Sequence, residues 1–256
     1  MSKTEYGIQM YSVRDITEKS LKNALEEVAA MGYKYIEFAG FFGNSAEEVK
    51  KWLDDFGLVC SGTHTGIGAI SSDNIEETIE YHKIIGCGSL IVPGCDWSTK
   101  EKCDEVIDTL NFASKKLKEN GIRLGYHNHS KEFYPTGDGI VFEDEVIKRT
   151  DAELEIDTFW AFNAGIDVIE YLEAHKDRIS VIHLKDGIPT AKENQNFYHA
   201  HDDVRGMSVG EGKAPVKEIR EWAIKNNVLM VVESEGLEPT GIEEVRRCME
   251  YLRTLD

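Results

Sequence analysis

An α/β barrel of eight strand–helix units is the fold this sequence predicts, and three observations predict it. Eight short apolar or β-branched runs recur along the 256 residues, each followed by a longer amphipathic segment. Glycines stand at the joints where a helix should stop and a strand begin, and no Pro/Ser-rich linker or break in composition divides the chain. Parallel strands need crossover helices, and eight such units in succession close into a barrel. The competing open, doubly wound sheet carries a Gly-rich phosphate turn after its first strand, and Met10-Tyr-Ser-Val-Arg14 is nothing of the kind. The expectation is a single (β/α)8 domain spanning residues 1–256.

The predicted strands are, in order, Tyr6–Tyr11, Tyr33–Phe38, Leu58–Thr63, Ser89–Val92, Ile122–His127, Ala152–Asp157, Ile179–Leu184 and Val228–Val232. Between the first two, Leu21, Ala24, Leu25, Val28 and Ala29 recur at helical spacing and share one face of a helix over Leu21–Met31. Ser45-Ala-Glu-Glu48 and Asp73-Asn-Ile-Glu76 have the form of capping boxes, which start a helix by satisfying its free amides. Gly32, Gly57, Gly86 and Gly121 close helices, because glycine tolerates the left-handed conformation found there. Gly210-Glu-Gly212 reads as turn chemistry ahead of a helix over Val216–Lys225. Residues 190–210 hold His199, His201 and Arg205 without clear periodicity, and read as a long βα loop and a candidate lid. The pair His199-Ala-His201 reads as part of that solvated loop more readily than as a separate metal site.

Charge narrows the partners. Lys+Arg is 29 and Asp+Glu 47, a formal net charge of −18. Binding phosphate backbones or anionic lipid surfaces needs cationic side chains in number, so neither nucleic acid nor membrane is expected. Five cysteines (Cys60, Cys87, Cys95, Cys103, Cys248) form no C-x-x-C pair, which argues for reduced thiols and against a disulfide framework. The first residues contain no apolar run like a signal peptide's, and a cytoplasmic location is expected.

The strand ends are rich in acids and histidines. Glu37, His64, the stretch Tyr126-His-Asn-His129 with Glu132 beyond it, Asp157, His183 with Lys185, and Glu233 all fall at one rim, where barrels of this kind place their chemistry. A carboxylate ending an apolar strand such as L-E-I-D or L-M-V-V-E is costly to bury alone. Several carboxylates with an imidazole suit one divalent ion of intermediate hardness: Mn²⁺ is expected, with Co²⁺, Mg²⁺ or Zn²⁺ as alternatives. Asp157 also suits a helix cap, His183 an internal histidine bonded to a carbonyl, and Lys185 either an ion pair with Glu233 or a contact to a substrate oxygen. Glu235, two residues on, competes with Glu233 for the functional position. Trp160 and Phe162 read as pocket wall or core. His82 and His175 fall on predicted helices and receive no role. Only Lys185, Arg205 and Lys213 are placed to meet a phosphate, none in a phosphate-binding motif, so an unphosphorylated substrate is expected.

The segments E-I-D-T-F-W (155–160), V-I-H-L-K-D-G (181–187), S-V-G-E-G (208–212) and V-V-E (231–233) resemble the sugar-phosphate isomerase/epimerase superfamily, whose members share the xylose-isomerase-like TIM barrel. Ketose 3-epimerases, inosose dehydratases and endonuclease-IV-type repair enzymes belong to it. The 26-residue separation of Asp157 and His183 fits that family, and the similarity runs over essentially the whole chain. G-Y-H-N-H-S-K-E-F (125–133) and D-T-F-W-A-F-N-A-G (157–165) resemble a subgroup in which some relatives cleave 3-keto-glycosides by elimination. The resemblance implies a metal site of Glu, Asp, His and Glu on the last four strands. Asp157, His183 and Glu233 carry over, but the fifth strand has no glutamate. Glu132 is expected to reach the ion from the loop, with His127 or His129 as the alternative ligand. That departure argues against epimerisation by two opposed glutamates, which needs one acid–base group on each face of the substrate.

The resemblance further implies catalytic roles for His129, Glu132, Glu233 and Lys185, and substrate contacts from Glu37, His64, His127, Trp160 and Arg205. His129 is the expected general base, with orientation of Glu132 or of a substrate hydroxyl as its other reading. The implied activity is a metal-dependent isomerase or epimerase of a keto-sugar or keto-polyol, working by proton abstraction alpha to the carbonyl and a metal-stabilised enediolate. Elimination from the same intermediate (inosose dehydration or 3-keto-glycoside cleavage) is the alternative. A catalytically silent sugar-binding barrel or subunit comes next, and an endonuclease is disfavoured by the acidic charge. By analogy the chain forms a homo-oligomer.

Overall fold

Alternation of inward and outward side chains decides how the strands assemble, as seen in a computed structural model that describes residues 4–256. The opening residues 1–3 of the N-terminal segment read above lie outside the described residues. In chain order the elements are β1 (Gly7–Gln9), α1 (Arg14–Thr17), α2 (Leu21–Ala30), β2 (Tyr35–Phe38), α3 (Ala46–Phe56), β3 (Val59–His64), α4 (Ile75–Ile85), β4 (Ser89–Val92), α5 (Lys100–Glu119), β5 (Arg123–His127), α6 (Phe142–Arg149), β6 (Glu153–Asp157), α7 (Thr158–Asn163), α8 (Val168–His175), β7 (Val181–Leu184), β8 (Asp186–Ile188), β9 (Arg205–Met207), α9 (Val216–Asn226), β10 (Leu229–Val232) and α10 (Gly241–Arg253). Strands β1 to β7 and β10 close a parallel barrel, each beside its neighbour in sequence, and β10 seals it against β1. The (β/α)8 prediction is correct.

The barrel has two interiors. Outward-facing Ile36, Phe38, Leu90, Val92, Leu124, Tyr126, Leu154, Ile156, Ile182 and Leu184 are buried with the apolar faces of the helices, forming the hydrophobic core. The inside of the barrel instead mixes glycines and charged side chains with Ile91 and Val231. Gly62 is inward-facing: a Cβ there would stand 2.7 Å from Ile91 Cδ1 and 3.1 Å from Glu37 Oε2, so a larger residue would press on both side chains. Register then sets neighbours at the upper rim, with Gln9 beside Glu37, His127 beside Glu155, Asp157 beside His183 and Val231 beside His183.

Local signals hold with two exceptions. Ser45 and Glu48 form both halves of a capping box, and Gly57 closes the same helix at φ 66°. Asp73 does not cap α4: the helix starts one residue later, and its N-cap residue Asn74 turns its amide to Gly68 O and Ser71 Oγ instead. The region predicted as an aperiodic loop at 190–210 contains β9, which pairs antiparallel with β8. Asp186 on β8 accepts hydrogen bonds from the amides of Gly187, Gly210, Gly212 and Ala214. A Cβ at Gly212 would fall 2.1 Å from the Asp186 carboxylate, which explains the glycine-bearing S-V-G-E-G turn. All five cysteines are free. No described helix is long and apolar enough to cross a membrane.

Candidate active site

His183, at the inward face of β7, is the hub of the upper rim. Its Nε2 donates to Glu37 Oε1 at 2.7 Å and lies 3.2 Å from Glu155 Oε1. Its Nδ1 faces Glu233 Oε2 at 3.2 Å and Asp157 Oδ2 at 3.9 Å. His64 Nε2 lies 2.8 Å from Glu155 and 3.1 Å from Glu37. Two sets of ligand atoms therefore converge to within 4.8 Å: His127, Asp157, His183 and Glu233 above, and His64, His127, Glu155 and His183 below.

Burial and charge pull against each other here. Burial alone would raise Glu37, but His183 and His64 hold its carboxyl well below the usual range. Burial alone would lower His183, but Glu155, Glu37 and Glu233 lift it well above an ordinary imidazole. His64 is carried to about 9 against its burial by Glu37 and Glu155. His127 is pushed the other way, by burial and then by the charges of His183 and His64. Lys185 is fully buried, yet Glu233 (3.1 Å), Asp157 (3.6 Å) and Glu235 hold its proton firmly.

The upper set suits a divalent cation on evidence independent of these charges. Asp157 Oδ1 accepts from the Trp160 amide at 2.8 Å, capping α7, while Oδ2 is buried with no hydrogen-bond partner. The cap reading of Asp157 is thus realised on Oδ1, while Oδ2 faces the cluster. His127 Nδ1 is buried without a hydrogen bond, 3.4 Å from Glu155 Oε1. A buried carboxylate oxygen without a hydrogen bond is expensive, and Lys185 Nζ at 3.6 Å and His183 Nδ1 at 3.9 Å offset that cost only from beyond hydrogen-bond reach. Two imidazoles and two carboxylates form a donor set for a first-row divalent ion.

The strand-five position departs from expectation. Glu132 is absent from both converging sets: its carboxylate accepts from the Tyr126 hydroxyl (3.3 Å) and the His129 amide (2.9 Å), and burial raises it to about 7. His127 stands in both converging sets instead, because it ends β5 on its inward face whereas Glu132 lies beyond it on a short turn. Glu233, and not Glu235, joins the set, while Glu235 pairs with Lys185. Arg205 lies apart: it is exposed on β9, where its guanidinium meets the Met207 sulfur. Glu155 was missed. It sits two residues before Asp157 on the same strand face, and that period of two was the available sign.

Beside the metal-type cluster opens a cavity of about 530 Å³ lined in part by Trp97, His129, Trp160, Phe197, His201 and Glu235. Lys185 Nζ lies 4.5 Å over the Trp160 ring, joining cavity to cluster. His129 is pushed down to about 3 by burial and by Lys185, so its ring is neutral and would hold an added proton only weakly. Glu37 and His64, expected to touch substrate, instead belong to the network beneath the cluster, although His64 also walls a second cavity with Phe41 and Tyr81.

A family model described as xylose isomerase-like TIM barrel matches residues 25–255. An inosose dehydratase of Mesomycoplasma hyopneumoniae is 26% identical over 267 residues, covering 98% of this chain and 83% of that protein. That of Geobacillus kaustophilus is 26% identical over 191 residues, 63% of this chain and 60% of the relative, so this match spans less than two thirds of its length. Among solved structures, a sugar phosphate isomerase/epimerase of Parabacteroides distasonis superimposes with a TM-score of 0.78 at 26% identity, covering 96% of each chain. A probable 3-DHS dehydratase of Bacillus anthracis shares the fold, with a TM-score of 0.72 at 13% identity over 98% of this chain and 99% of its own.

Proposed function

Because the chain belongs to the xylose isomerase-like TIM barrel family, we propose that it is a metal-dependent lyase that removes water from a keto-polyol or keto-sugar, inosose being the first candidate. The relatives named inosose dehydratase favour elimination over the isomerase or epimerase activity expected from the sequence. The observation that carries the reading is the His129 ring on the wall of a cavity that adjoins a cluster of two imidazoles and two carboxylates. Elimination needs one group to move a proton from carbon to a departing oxygen, whereas epimerisation needs one on each face.

His127, Asp157, His183 and Glu233 would hold the ion, with Mn²⁺ proposed and Co²⁺, Mg²⁺ or Zn²⁺ as alternatives. When bound, a divalent ion supplies Lewis acidity that polarises a carbonyl and makes the adjacent C–H acidic. Glu37 fixes the His183 ring by accepting from Nε2, which leaves Nδ1 turned toward Asp157 and Glu233. His129 takes the proton alpha to the carbonyl. Lys185 holds positive charge beside the cluster and over the Trp160 face, where it can meet a substrate oxygen. Glu132 positions His129 through its amide.

The test is turnover of a keto-inositol by Mn²⁺-loaded protein in D₂O, followed by NMR. Release of water is expected, with a hydroxy-enone product that tautomerises to a 1,2-dione. A product that keeps every C–O bond and differs only in configuration or carbonyl position would replace this reading with an epimerase or isomerase, in which Glu235 on the cavity wall is the second acid–base group.

A further inference from the structure

His201 comes from the segment between β8 and β9, far from the barrel strands in sequence, yet it is held in the cavity by its flanks. Asn163 Nδ2 donates to Ala200 O at 2.7 Å, and Thr190 Oγ1 donates to Ala200 O at 3.2 Å and Asp202 O at 2.7 Å. Asn163 lies on α7 three residues after Trp160, so one short helix positions both the indole and the loop imidazole. Asn163 Nδ2 also donates to Ser130 Oγ at 2.7 Å, tying in the residue next to His129.

The three rings form a triangle. Their centroids lie 4.6 Å apart for Trp160 and His201, 5.8 Å for His129 and Trp160, and 5.8 Å for His129 and His201. Trp160 is 7% exposed, and its Nε1 is buried with no partner; His201 Nε2 is likewise buried and unpartnered. Buried polar atoms of this kind are rare unless a ligand completes them. Trp160, His201 and His129 wall the same cavity, so an oxygen bound there is bordered by all three rings.

We infer that Trp160 Nε1 and His201 Nε2 hold the oxygen that leaves, while His129 carries the proton to it. The inference rests on the elimination reading above. The Cα–H bond breaks with its proton passing to His129; its electrons form the C=C bond, the Cβ–O bond breaks, and the proton on His129 goes to the departing hydroxide, which leaves as water. No further reactant is needed. His201 acts as a neutral hydrogen-bonding group, consistent with its pKa, lowered to about 4 by burial and then by Lys131 and Lys185.

Two readouts separate this role from a structural one: α-proton exchange into D₂O, and water release, both measured with keto-inositol on Mn²⁺-loaded protein. His201→Ala is expected to slow water release about 100-fold, as loss of a preorganised hydrogen-bonding group does, while exchange stays within about twofold and melting temperature and bound Mn²⁺ stay at wild-type values. His201→Gln should recover part of the loss, and Trp160→Phe should show the same split. If exchange and release fall together in both His201→Ala and Trp160→Phe, or neither falls, the inference is overturned while the dehydratase reading stands. If wild type exchanges the proton without releasing water, or acts on neither, the dehydratase reading fails and the leaving-oxygen role fails with it.

Discussion

Glu153, Glu155 and Asp157 stand two residues apart on one face of β6, yet they end in three different settings. At the lower end, half-buried Glu153 is paired: Arg123 Nη1 lies 2.9 Å from its carboxylate and Ser180 donates to it at 2.5 Å. In the middle, Glu155 is buried among His64, His127 and His183, with Oε2 unpartnered. At the top, Asp157 caps a helix with one oxygen and leaves the other open. Depth in the barrel, and not residue type, separates an ordinary ion pair from a group built to share a cation or a proton.

Substitutions along the strand sharpen that gradient. Asp157→Ala should have the largest effect: elemental analysis after dialysis should find no divalent ion, and turnover should vanish with it. Ion retained at the wild-type level would remove Asp157 from the ligand set. Glu155→Gln keeps the shape but removes the charge behind His183 and His64. A loss of metal affinity of about 10- to 100-fold is expected from competition titration, and no change would make Glu155 a bystander.

Glu143 offers a comparison without imidazoles. It is fully buried on α6, bonded by the Tyr171 hydroxyl at 2.7 Å, and burial lifts it to about 7. Its proton is held in the folded state above the pH at which the unfolded chain releases it. Its contribution to stability is therefore full below about pH 4.5 and declines as pH rises through 7. Glu143→Gln should flatten that decline, by a few kcal/mol at most, in denaturant melts at pH 5 and pH 8; an unchanged slope would assign the dependence elsewhere. Glu153→Ala should have the smallest effect, about 0–1 kcal/mol of stability with metal content and turnover unaltered.

The barrel was legible because its cues are local: apolar runs, capping residues and closing glycines repeat in register. Asp157, His183 and Glu233 were legible for a similar reason, since each lies at or within one residue of the end of a strand. His127 and Glu155 were less so. Whether His127 points inward depends on where β5 ends, and Glu132, a carboxylate nearby in sequence, was the more obvious candidate. Glu155 is tolerable in a lumen only because imidazoles arrive from β3, β5 and β7, and such convergence has no signature in a single segment. His201 was noted in its loop, but the bonds from Asn163 and Thr190 that seat it cross long stretches of chain.

The Asp186 clamp has a consequence for divergence. Lys185 enters the cluster while the very next side chain fastens the turn at 210–214, so the barrel and the outer loop are joined through one peptide unit. With Thr190 and Ala200 also anchored, the nine residues 191–199 between them form a cassette whose ends are fixed. Phe197, which walls the cavity, lies inside it. A lineage adapting to a different sugar can exchange that cassette, in sequence or in length, without disturbing a single strand.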